Sequence, residues 1–195
     1  MKNERMYVTG NHVNERTAPN LDSEVAATHE AGEVVVVVSR QGEWYELSNG
    51  HYMFGEFLTA DRQDIVPHFL EKYHDLIVVD ITNQRIEYWY YGELVASGPC
   101  VTGDAVKSPT PIGLYPVGSK NNDFDMNGNP DTHVEYATYI NGGIAIHDAI
   151  HWRVLFGGSI YKTNGSHGCI NTELHVAEYV YLHARKDYTY TLVLP

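Results

Sequence analysis

Cysteine is scarce in this chain: Cys100 and Cys169 are the only two among 195 residues. Two thiols are too few for the disulfide framework of a small secreted domain and too few for a zinc site built from four thiolates. Either both thiols are buried, or one is reactive and the other is a bystander. For Cys100, at the end of an expected strand, we predict a buried thiol. A second reactive role for Cys100 or a bridge to Cys169 is the alternative.

Positive charge is also sparse. Lys and Arg together number 13 against 25 Asp and Glu, which gives a formal net charge of −12. Binding to nucleic acid or to an anionic membrane surface depends on clustered Lys and Arg, so neither is an expected partner. A hydrophobic fraction of 43% with 19% charged residues indicates one or two folded domains and argues against disorder.

Long apolar runs are missing as well. No segment approaches the roughly 18 apolar residues that a transmembrane helix needs. The polar start, residues 1 to 5, lacks the apolar segment of a signal peptide. We therefore expect no transmembrane segment in this chain. On this ground alone the sequence fits a cytosolic protein as well as a mature or excised fragment of an exported one.

The first 60 residues have the pattern of short strands. The β-branched run from Val34 to Val38 favours a half-buried strand, and residues 48 to 50 predict a tight hairpin turn. With residues 13 to 19 and Trp44-Tyr45, this stretch resembles a bacterial Src-homology-3-like (SH3-like) β-barrel. Such modules commonly bind cell-wall peptides, so the resemblance implies possible wall binding by residues 1 to 64. The alternative is a barrel that only spaces or packs the next domain.

A second domain is predicted over residues 75 to 195. Residues 65 to 74 indicate a linker with a short helix, because Pro67 is followed by apolar residues at helical spacing. Three strands that form an antiparallel meander come next. A long exposed loop over residues 119 to 132 predicts a lid or binding loop. Residues 172 to 186 predict a short C-terminal helix. The fold class expected for the whole chain is mainly β.

Residues 166 to 171, Ser-His-Gly-Cys-Ile-Asn, carry the strongest chemical signal. A cysteine nucleophile needs a neighbouring base or cation. His167 lies two residues before Cys169, and side chains at this spacing project to the same side of an extended segment. Gly168 permits close backbone approach, and the amide groups around it are candidates for an oxyanion hole. Taken bare, a cysteine beside a histidine is a weak signal.

In its wider context the motif resembles the YkuD-type catalytic domain of L,D-transpeptidases. The family pattern is a His followed at a distance by Ser/Thr-His-Gly-Cys-apolar-Asn/Arg, and His147 supplies the first His here. Residues 109 to 113, Pro-Thr-Pro-Ile-Gly, and residues 152 to 158 match the family further. The resemblance covers about residues 75 to 195. It implies a β-sandwich with a lid loop over the active site and a short C-terminal helix.

The resemblance also implies an activity. Enzymes of this family crosslink bacterial peptidoglycan through a cysteine thioester, taking a donor tetrapeptide stem and the side-chain amine of an acceptor stem to a 3→3 crosslink. Water as the acceptor would make the same site an L,D-carboxypeptidase, and a wall-binding protein without activity is a further alternative. We expect a monomer that needs no cofactor. A wall substrate places the protein outside the cell, in the wall or on the outer side of the membrane.

The resemblance assigns roles to individual residues. Cys169 would be the nucleophile and His167 its general base, with His147 across the site and Ser166 positioning the pair. A main-chain carbonyl near His147 would orient the imidazole. Asn171 would hold the loop and contact substrate. The remaining candidates are an oxyanion glycine and four residues of the substrate groove: Gly168, Tyr136, Tyr139, Trp152 and Arg153.

Two weaker patterns suggest metals, and we expect neither to bind one. Residues 147 to 151, His-Asp-Ala-Ile-His, resemble the zinc-peptidase pattern His-Glu-x-x-His, but the preceding residues indicate a strand rather than a helix. Residues 123 to 128 fit the first half of a calcium loop, whose twelfth position would be Val134 instead of Glu. The other histidines, among them His29, His51 and His133, are interpreted as surface or local structural groups.

Overall fold

The structure is a computed structural model that describes residues 3–195. The chain divides into two compact units between Lys72 and Tyr73. The expected linker is largely an α-helix, α1, which spans Ile65–Lys72 and buries Ile65 and Phe69. Pro67 lies in its first turn, where the missing amide hydrogen costs nothing. The boundary therefore falls at the end of this helix, within the expected linker of residues 65 to 74.

The N-terminal unit is a seven-stranded antiparallel sheet. Its strands run in the order β3-β2-β6-β5-β4-β1-β7 and curl around a core supplied by six of them. Burial in β4 alternates, with Val35 and Val37 inside, as a half-buried β-branched strand requires. The strands are β1 Glu4–Val8, β2 Val13–Arg16, β3 Val25–His29, β4 Val34–Gln41, β5 Trp44–Leu47, β6 Tyr52–Phe54 and β7 Leu58–Thr59.

The C-terminal unit is built from nine strands. The expected meander is present, and Gly92 at φ 80° closes the turn between its second and third strands. The order is β11-β16-β8-β9-β10-β15-β14-β13-β12. The strands are β8 Asp75–Asp80, β9 Arg85–Tyr90, β10 Glu93–Val101, β11 Gly113–Pro116, β12 Lys120–Asp125, β13 His133–Asn141, β14 Ile144–Asp148, β15 Ile170–Thr172 and β16 Tyr190–Leu194.

Strand β10 belongs to two sheets. Its first part pairs with β9, and Cys100 and Val101 pair with β15. The main core lies between the sheets and includes Ile86, Ile146, Ile170 and residues of the C-terminal helix α3, Leu174–His183. The helix begins two residues later than predicted, because Thr172 is the last residue of β15. The mainly β fold class is confirmed.

The predicted loop over residues 119 to 132 is largely regular. Strand β12 pairs with β13, and two 3-10 turns, Met126–Gly128 and Pro130–Thr132, join them. The expected lid is therefore a β-hairpin with a turned tip. The ammonium group of Lys120 in β12 donates to the carbonyl oxygens of Tyr181 and Ala184, which ties the hairpin to the end of α3. A four-residue helix, α2 Tyr161–Asn164, precedes the cysteine motif.

No helix among residues 3–195 is long and apolar enough to cross a membrane.

Candidate active site

A cavity of about 610 Å³ opens on the C-terminal unit, within the size range of small-molecule sites. It brings together most of the site residues that the sequence predicted. Those that line it are Cys169, His167, His147, Ser166, Asn171, Tyr139, Trp152 and Arg153.

Strand register explains why distant residues meet here. Strands β14 and β15 are parallel, and His147 is the partner of Asn171. Because alternate residues face the same side of a strand, Ala145 and His147 face the site while Ile146 enters the main core. Cys169, two residues before Asn171, falls beside Ala145 on the same face.

His147 is held in one tautomer. Its Nδ1 lies 2.6 Å from the carbonyl oxygen of Asp148, which can only accept, so Nδ1 carries the hydrogen. Nε2 is then the basic nitrogen, and the side-chain amide of Asn171 donates to it at 3.0 Å. The ring is 2% exposed, and burial lowers the pKa of His147 against the opposing effect of the Asp148 hydrogen bond. A neutral imidazole is the form that a general base needs, and its Nε2 lone pair is the one to which Asn171 donates here.

His167 is placed differently. Its side chain is exposed, and within residues 3–195 the ring makes no hydrogen bond that would fix its tautomer. Sequence spacing brought His167 close to Cys169 along the chain, but burial and orientation distinguish His147. The geometry therefore favours His147 over His167 for the role of base, the reverse of the assignment from sequence.

The thiol of Cys169 is partly buried at the cavity. Its Sγ lies 3.9 Å from the carbonyl oxygen of Gly143, a weak contact in which the thiol donates. Burial raises the pKa of Cys169, and a main-chain hydrogen bond at Ala145 lowers it in part. A thiol whose pKa is raised needs a base to remove its proton before it acts as a nucleophile.

Ser166 and Gly168 shape the turn before the cysteine. The Ser166 hydroxyl donates to the Cys169 carbonyl oxygen and accepts from the Gly168 amide at 3.1 Å. Gly168 has φ +112°, a conformation that side chains with a Cβ rarely adopt. Since the Gly168 amide is already used, the Cys169 amide is the one of the two that remains for an oxyanion.

Thr110 is a site residue that the sequence analysis did not single out. Its buried hydroxyl donates to the Gly168 carbonyl oxygen and accepts from the Gly103 amide, both at 2.8 Å. Gly103 leaves no room for a side chain, because a Cβ there would lie 2.1 Å from the Ser108 carbonyl oxygen. The only sequence signal was the Pro-Thr-Pro-Ile-Gly segment that contains Thr110.

Trp152 and Arg153 form one wall of the cavity. The Trp152 and His147 rings lie 6.0 Å apart between centroids. One guanidinium nitrogen of Arg153 donates to the Asn164 carbonyl oxygen at 3.1 Å, while its buried Nε has no partner among the described residues. Burial lowers the pKa of Arg153, which nevertheless stays a cation. A cation with a spare donor suits a carboxylate.

Tyr136 does not lie at the cavity, contrary to the expectation. Its hydroxyl donates to Glu178 of α3 at 3.1 Å, and its ring packs on Tyr181 at 5.1 Å. Tyr136 and Tyr139 are three residues apart in one strand and therefore face opposite sides of the sheet. Only Tyr139 faces the cavity.

The zinc-peptidase pattern does not form a site. The His147 ring is hydrogen-bonded to Asp148 and Asn171, whereas the His151 ring lies 3.0 Å from the Glu135 carboxylate. The chain between them is a strand end and a turn, so the two rings do not share a helix face. His133, Glu135 and His151 instead form a separate cluster outside the cavity, with ligand atoms within 4.8 Å of one another.

Neither the calcium loop nor Cys100 behaves as a site. Val134, at the twelfth loop position, is fully buried, while Asp123 and Asp125 contact the His133 ring. Cys100 is a free, fully buried thiol whose pKa is raised by burial. It is therefore an inert core residue.

The fold and this cavity together define a class of enzyme. Residues 74–190 match the YkuD family, the L,D-transpeptidase catalytic domain, and the chain belongs to that family.

Individual L,D-transpeptidases are similar to this chain in sequence and in structure. L,D-transpeptidase 2 of Mycobacterium tuberculosis is 29% identical over 154 residues; the match covers 73% of this chain, which spans 35% of that relative's length. The catalytic domain of an Enterococcus faecium L,D-transpeptidase, acylated by ertapenem, is 32% identical, with a TM-score of 0.53 over 63% of this chain and 98% of that one. A longer structure of an E. faecium L,D-transpeptidase is 23% identical and shows the same fold, with a TM-score of 0.56 over 94% of this chain and 75% of that one.

Proposed function

We propose that this protein is a peptidoglycan L,D-transpeptidase that forms 3→3 crosslinks through a thioester at Cys169. The observation that carries the proposal is a buried His147 of fixed tautomer in the same cavity as the Cys169 thiol. Family membership supplies the reaction class, and the cavity supplies a nucleophile, a base and a cation.

In the proposed acylation, the Asn171 amide releases His147 Nε2, which accepts the proton of the Cys169 thiol as Sγ attacks a peptide carbonyl. The bond attacked follows the third residue of a donor tetrapeptide stem. The Cys169 amide stabilises the oxyanion, and collapse breaks the C–N bond. The proton on His147 passes to the leaving terminal D-alanine, and the acyl group remains as a thioester.

Arg153 is the proposed anchor for the carboxylate of the departing D-alanine. A half-buried guanidinium whose buried Nε has no partner among the described residues is the complement of that group. Trp152 and Tyr139 form the walls against which the stem peptide packs. Ser166 and Thr110 position the motif through its main chain.

The second half of the reaction decides the product. An amine from an acceptor stem attacks the thioester, His147 takes its proton, and the thiol is released. Attack by water gives an L,D-carboxypeptidase with the same residues. Product analysis with one tetrapeptide donor, with and without an acceptor amine, separates crosslinking from hydrolysis.

The acylation test is intact-mass spectrometry after incubation with a tetrapeptide donor or with a carbapenem as an acyl mimic. We expect one adduct on the wild type and on Cys100→Ala, and none on Cys169→Ala. An adduct that persists in Cys169→Ala would contradict the proposal, as would its absence from the wild type. Absence of an adduct from the wild type would favour the alternative of a wall-binding protein without activity.

We propose that the protein works outside the cell, where its substrate lies, and that the N-terminal unit is an SH3-like module that binds the wall. A cavity of about 220 Å³ supports this role: it is lined by Trp44, Phe54 and Phe57, with Arg16 at its edge. Sedimentation of the full chain with insoluble peptidoglycan tests it. Trp44→Ala should reduce retention, and unchanged retention would favour a spacer role.

A further inference from the structure

The cluster of His133, Glu135 and His151 offers the ligand chemistry of a transition-metal site. Two imidazole nitrogens and a carboxylate form the donor set that zinc takes in many proteins. Glu135 Oε1 lies 3.0 Å from His151 Nε2 and 4.0 Å from His133 Nε2. Ligand atoms around a tetrahedral zinc lie about 3.4 Å apart, given zinc–ligand bonds of about 2.0–2.2 Å. The two separations from Glu135 Oε1, 3.0 Å and 4.0 Å, lie on either side of that value.

His133 is also oriented as a metal ligand usually is. Its Nδ1 lies 2.9 Å from the Asp125 carboxylate, which leaves Nε2 as the nitrogen that faces Asp123 at 3.3 Å and Glu135 at 4.0 Å. In metal sites the second ring nitrogen of a ligating histidine characteristically donates to a carboxylate, which fixes the ring and raises its basicity. Asp123, with Oδ1 3.3 Å from His133 Nε2, provides a further carboxylate beside the centre.

The cluster is open to solvent and lies outside the catalytic cavity. The side chains of His133, Glu135 and His151 are 29%, 38% and 43% exposed, so an ion has access and water can complete its coordination. None of the three lines the cavity of Cys169. Imidazole ligands favour zinc-type ions over calcium or magnesium, which prefer oxygen alone.

We propose that His133, Glu135 and His151 bind one divalent transition-metal ion of the zinc type, which ties the β12–β13 hairpin to the turn after β14. His133 and Glu135 lie on β13, and His151 lies three residues after Asp148. Because a metal ligand must be deprotonated, each Nε2 coordinates in its neutral form, and the Nδ1 hydrogen of His133 stays on its bond to Asp125.

Such an ion would bear on the base of the site through the main chain. The amides of Glu135 and Tyr136 both donate to Asp148 Oδ2 at 2.8 Å, and the Asp148 carbonyl oxygen holds His147 Nδ1. Two of the metal ligands, His133 and Glu135, therefore lie on the strand that donates to Asp148, and the third, His151, follows Asp148 in the chain. Hydrogen exchange of these two amides therefore reports how firmly the hairpin is held.

The binding experiment uses the untagged full chain that carries Cys169→Ala, so that no active-site thiol competes for metal. Titration calorimetry with Zn²⁺ should show one equivalent bound, and Ca²⁺ should not bind there. His133→Ala and His151→Ala should each weaken binding by more than about 100-fold, and Asp125→Asn by about 10- to 100-fold. His175→Ala is the matched control, because His175 also pairs with a surface carboxylate, Glu173; it should leave the affinity unchanged.

Three outcomes would overturn the proposal: no Zn²⁺ binding to the Cys169→Ala protein, Zn²⁺ binding that survives both histidine substitutions, or preference for Ca²⁺. The tethering role has its own readout. Amide hydrogen exchange of Glu135 and Tyr136 should slow when Zn²⁺ is added, and unchanged exchange would overturn that role. Because these measurements need no thiol, their outcome is independent of the proposed transpeptidase activity. Circular dichroism of the His133, His151, Asp125 and His175 variants shows whether each protein is folded.

Discussion

The Nδ1 atom of His147 lies 2.6 Å from the carbonyl oxygen of Asp148, the next residue in the chain. A strand residue rarely uses its own neighbour's carbonyl, and here the contact is possible because β14 ends at Asp148. The Asp148 carboxylate meanwhile accepts two amides of β13. The His147 imidazole is thus oriented by a main-chain group that is itself fixed, without an acidic side chain as its hydrogen-bond partner.

The first prediction separates the two histidines of the cavity. His147→Ala should lower kcat of thioester formation by about 10²- to 10⁴-fold, the usual worth of a general base. His167→Ala should change kcat much less, because that ring is exposed and not oriented. Single-turnover acylation by a tetrapeptide donor measures both. A larger loss for His167→Ala than for His147→Ala would return the role of base to His167.

The second prediction concerns the pH dependence of activity. Burial lowers the pKa of His147 below its usual 6.5, so the imidazole stays neutral and basic as the pH falls through that value. The acid limb of kcat/KM should therefore lie below pH 6.5. A profile of kcat/KM against pH for acylation shows where it lies, and a limb at or above 6.5 would contradict the assignment.

The third prediction concerns the thiol. Burial raises the pKa of Cys169, so in the free enzyme the thiolate should form only above the usual value of about 8.5. Alkylation by iodoacetamide should be slow at neutral pH and should accelerate through a pKa above that value. Cys100 should remain unmodified in the folded protein because it is fully buried. Fast alkylation of Cys169 at pH 6 would reveal a preformed thiolate instead.

The fourth prediction concerns Thr110. Thr110→Val keeps the shape of the side chain but leaves the Gly103 amide and the Gly168 carbonyl without their buried partner. The free energy of unfolding of the C-terminal unit should fall by about 1–3 kcal/mol, the cost of a buried unsatisfied polar group. Thr110→Ser keeps the hydroxyl and is the matched control. Equal stability of both variants would show that the two hydrogen bonds contribute little.

The fifth prediction concerns a buried carboxylate in the N-terminal unit. Glu15 is 4% exposed and accepts from His29 at 2.9 Å, His51 at 2.6 Å and Asn49 at 3.0 Å. Burial alone raises the pKa of Glu15, but these hydrogen bonds outweigh it and hold the pKa below 4.5. Burial likewise lowers the pKa of His29, and its bonds to Glu15 and Glu33 outweigh that and raise it above 6.5.

The contribution of Glu15 is lost as the pH falls through its lowered pKa, and that of His29 is lost as the pH rises through its raised pKa. The network should therefore stabilise the unit most between pH 4.5 and 6.5. Glu15→Gln should lower stability there by about 1.5–3 kcal/mol, the range for hydrogen bonds to charged groups. Hydrogen exchange of β2 and β3 measures this, with exposed Glu24→Gln as the control; equal protection in both variants would contradict it.

Much of the fold was accessible from local patterns. The valine run of β4, the meander of β8 to β10 and the short C-terminal helix each have a periodicity or turn signal of their own. The cysteine motif likewise indicated its chemistry without the fold. The short helix α1 was predicted within the linker. The hairpin β12–β13 was missed because Asn, Asp and Gly favour loops in isolation.

What the sequence could not supply is the meeting of residues far apart in the chain. The choice between His147 and His167 depends on burial, which local spacing does not contain. Tyr136 was predicted in the groove because this stretch has the composition of a loop, and only the strand β13 turns Tyr136 away from the face of Tyr139. His133 and His151 meet only because of the pairing of β13 with β14 and the turn that follows, so no ligand spacing along the chain announces them.

The position of β15 in its sheet has a mechanical consequence. This three-residue strand directly follows Cys169 and is paired with β10 on one side and β14 on the other. A strand held on both edges cannot slide, so the nucleophile stays fixed while donor and acceptor come and go. Among residues 3–195, β12 lies at the rim of the same sheet with one neighbour. A strand paired on one edge is displaced more easily than one paired on both, so the outer hairpin can move without moving Cys169.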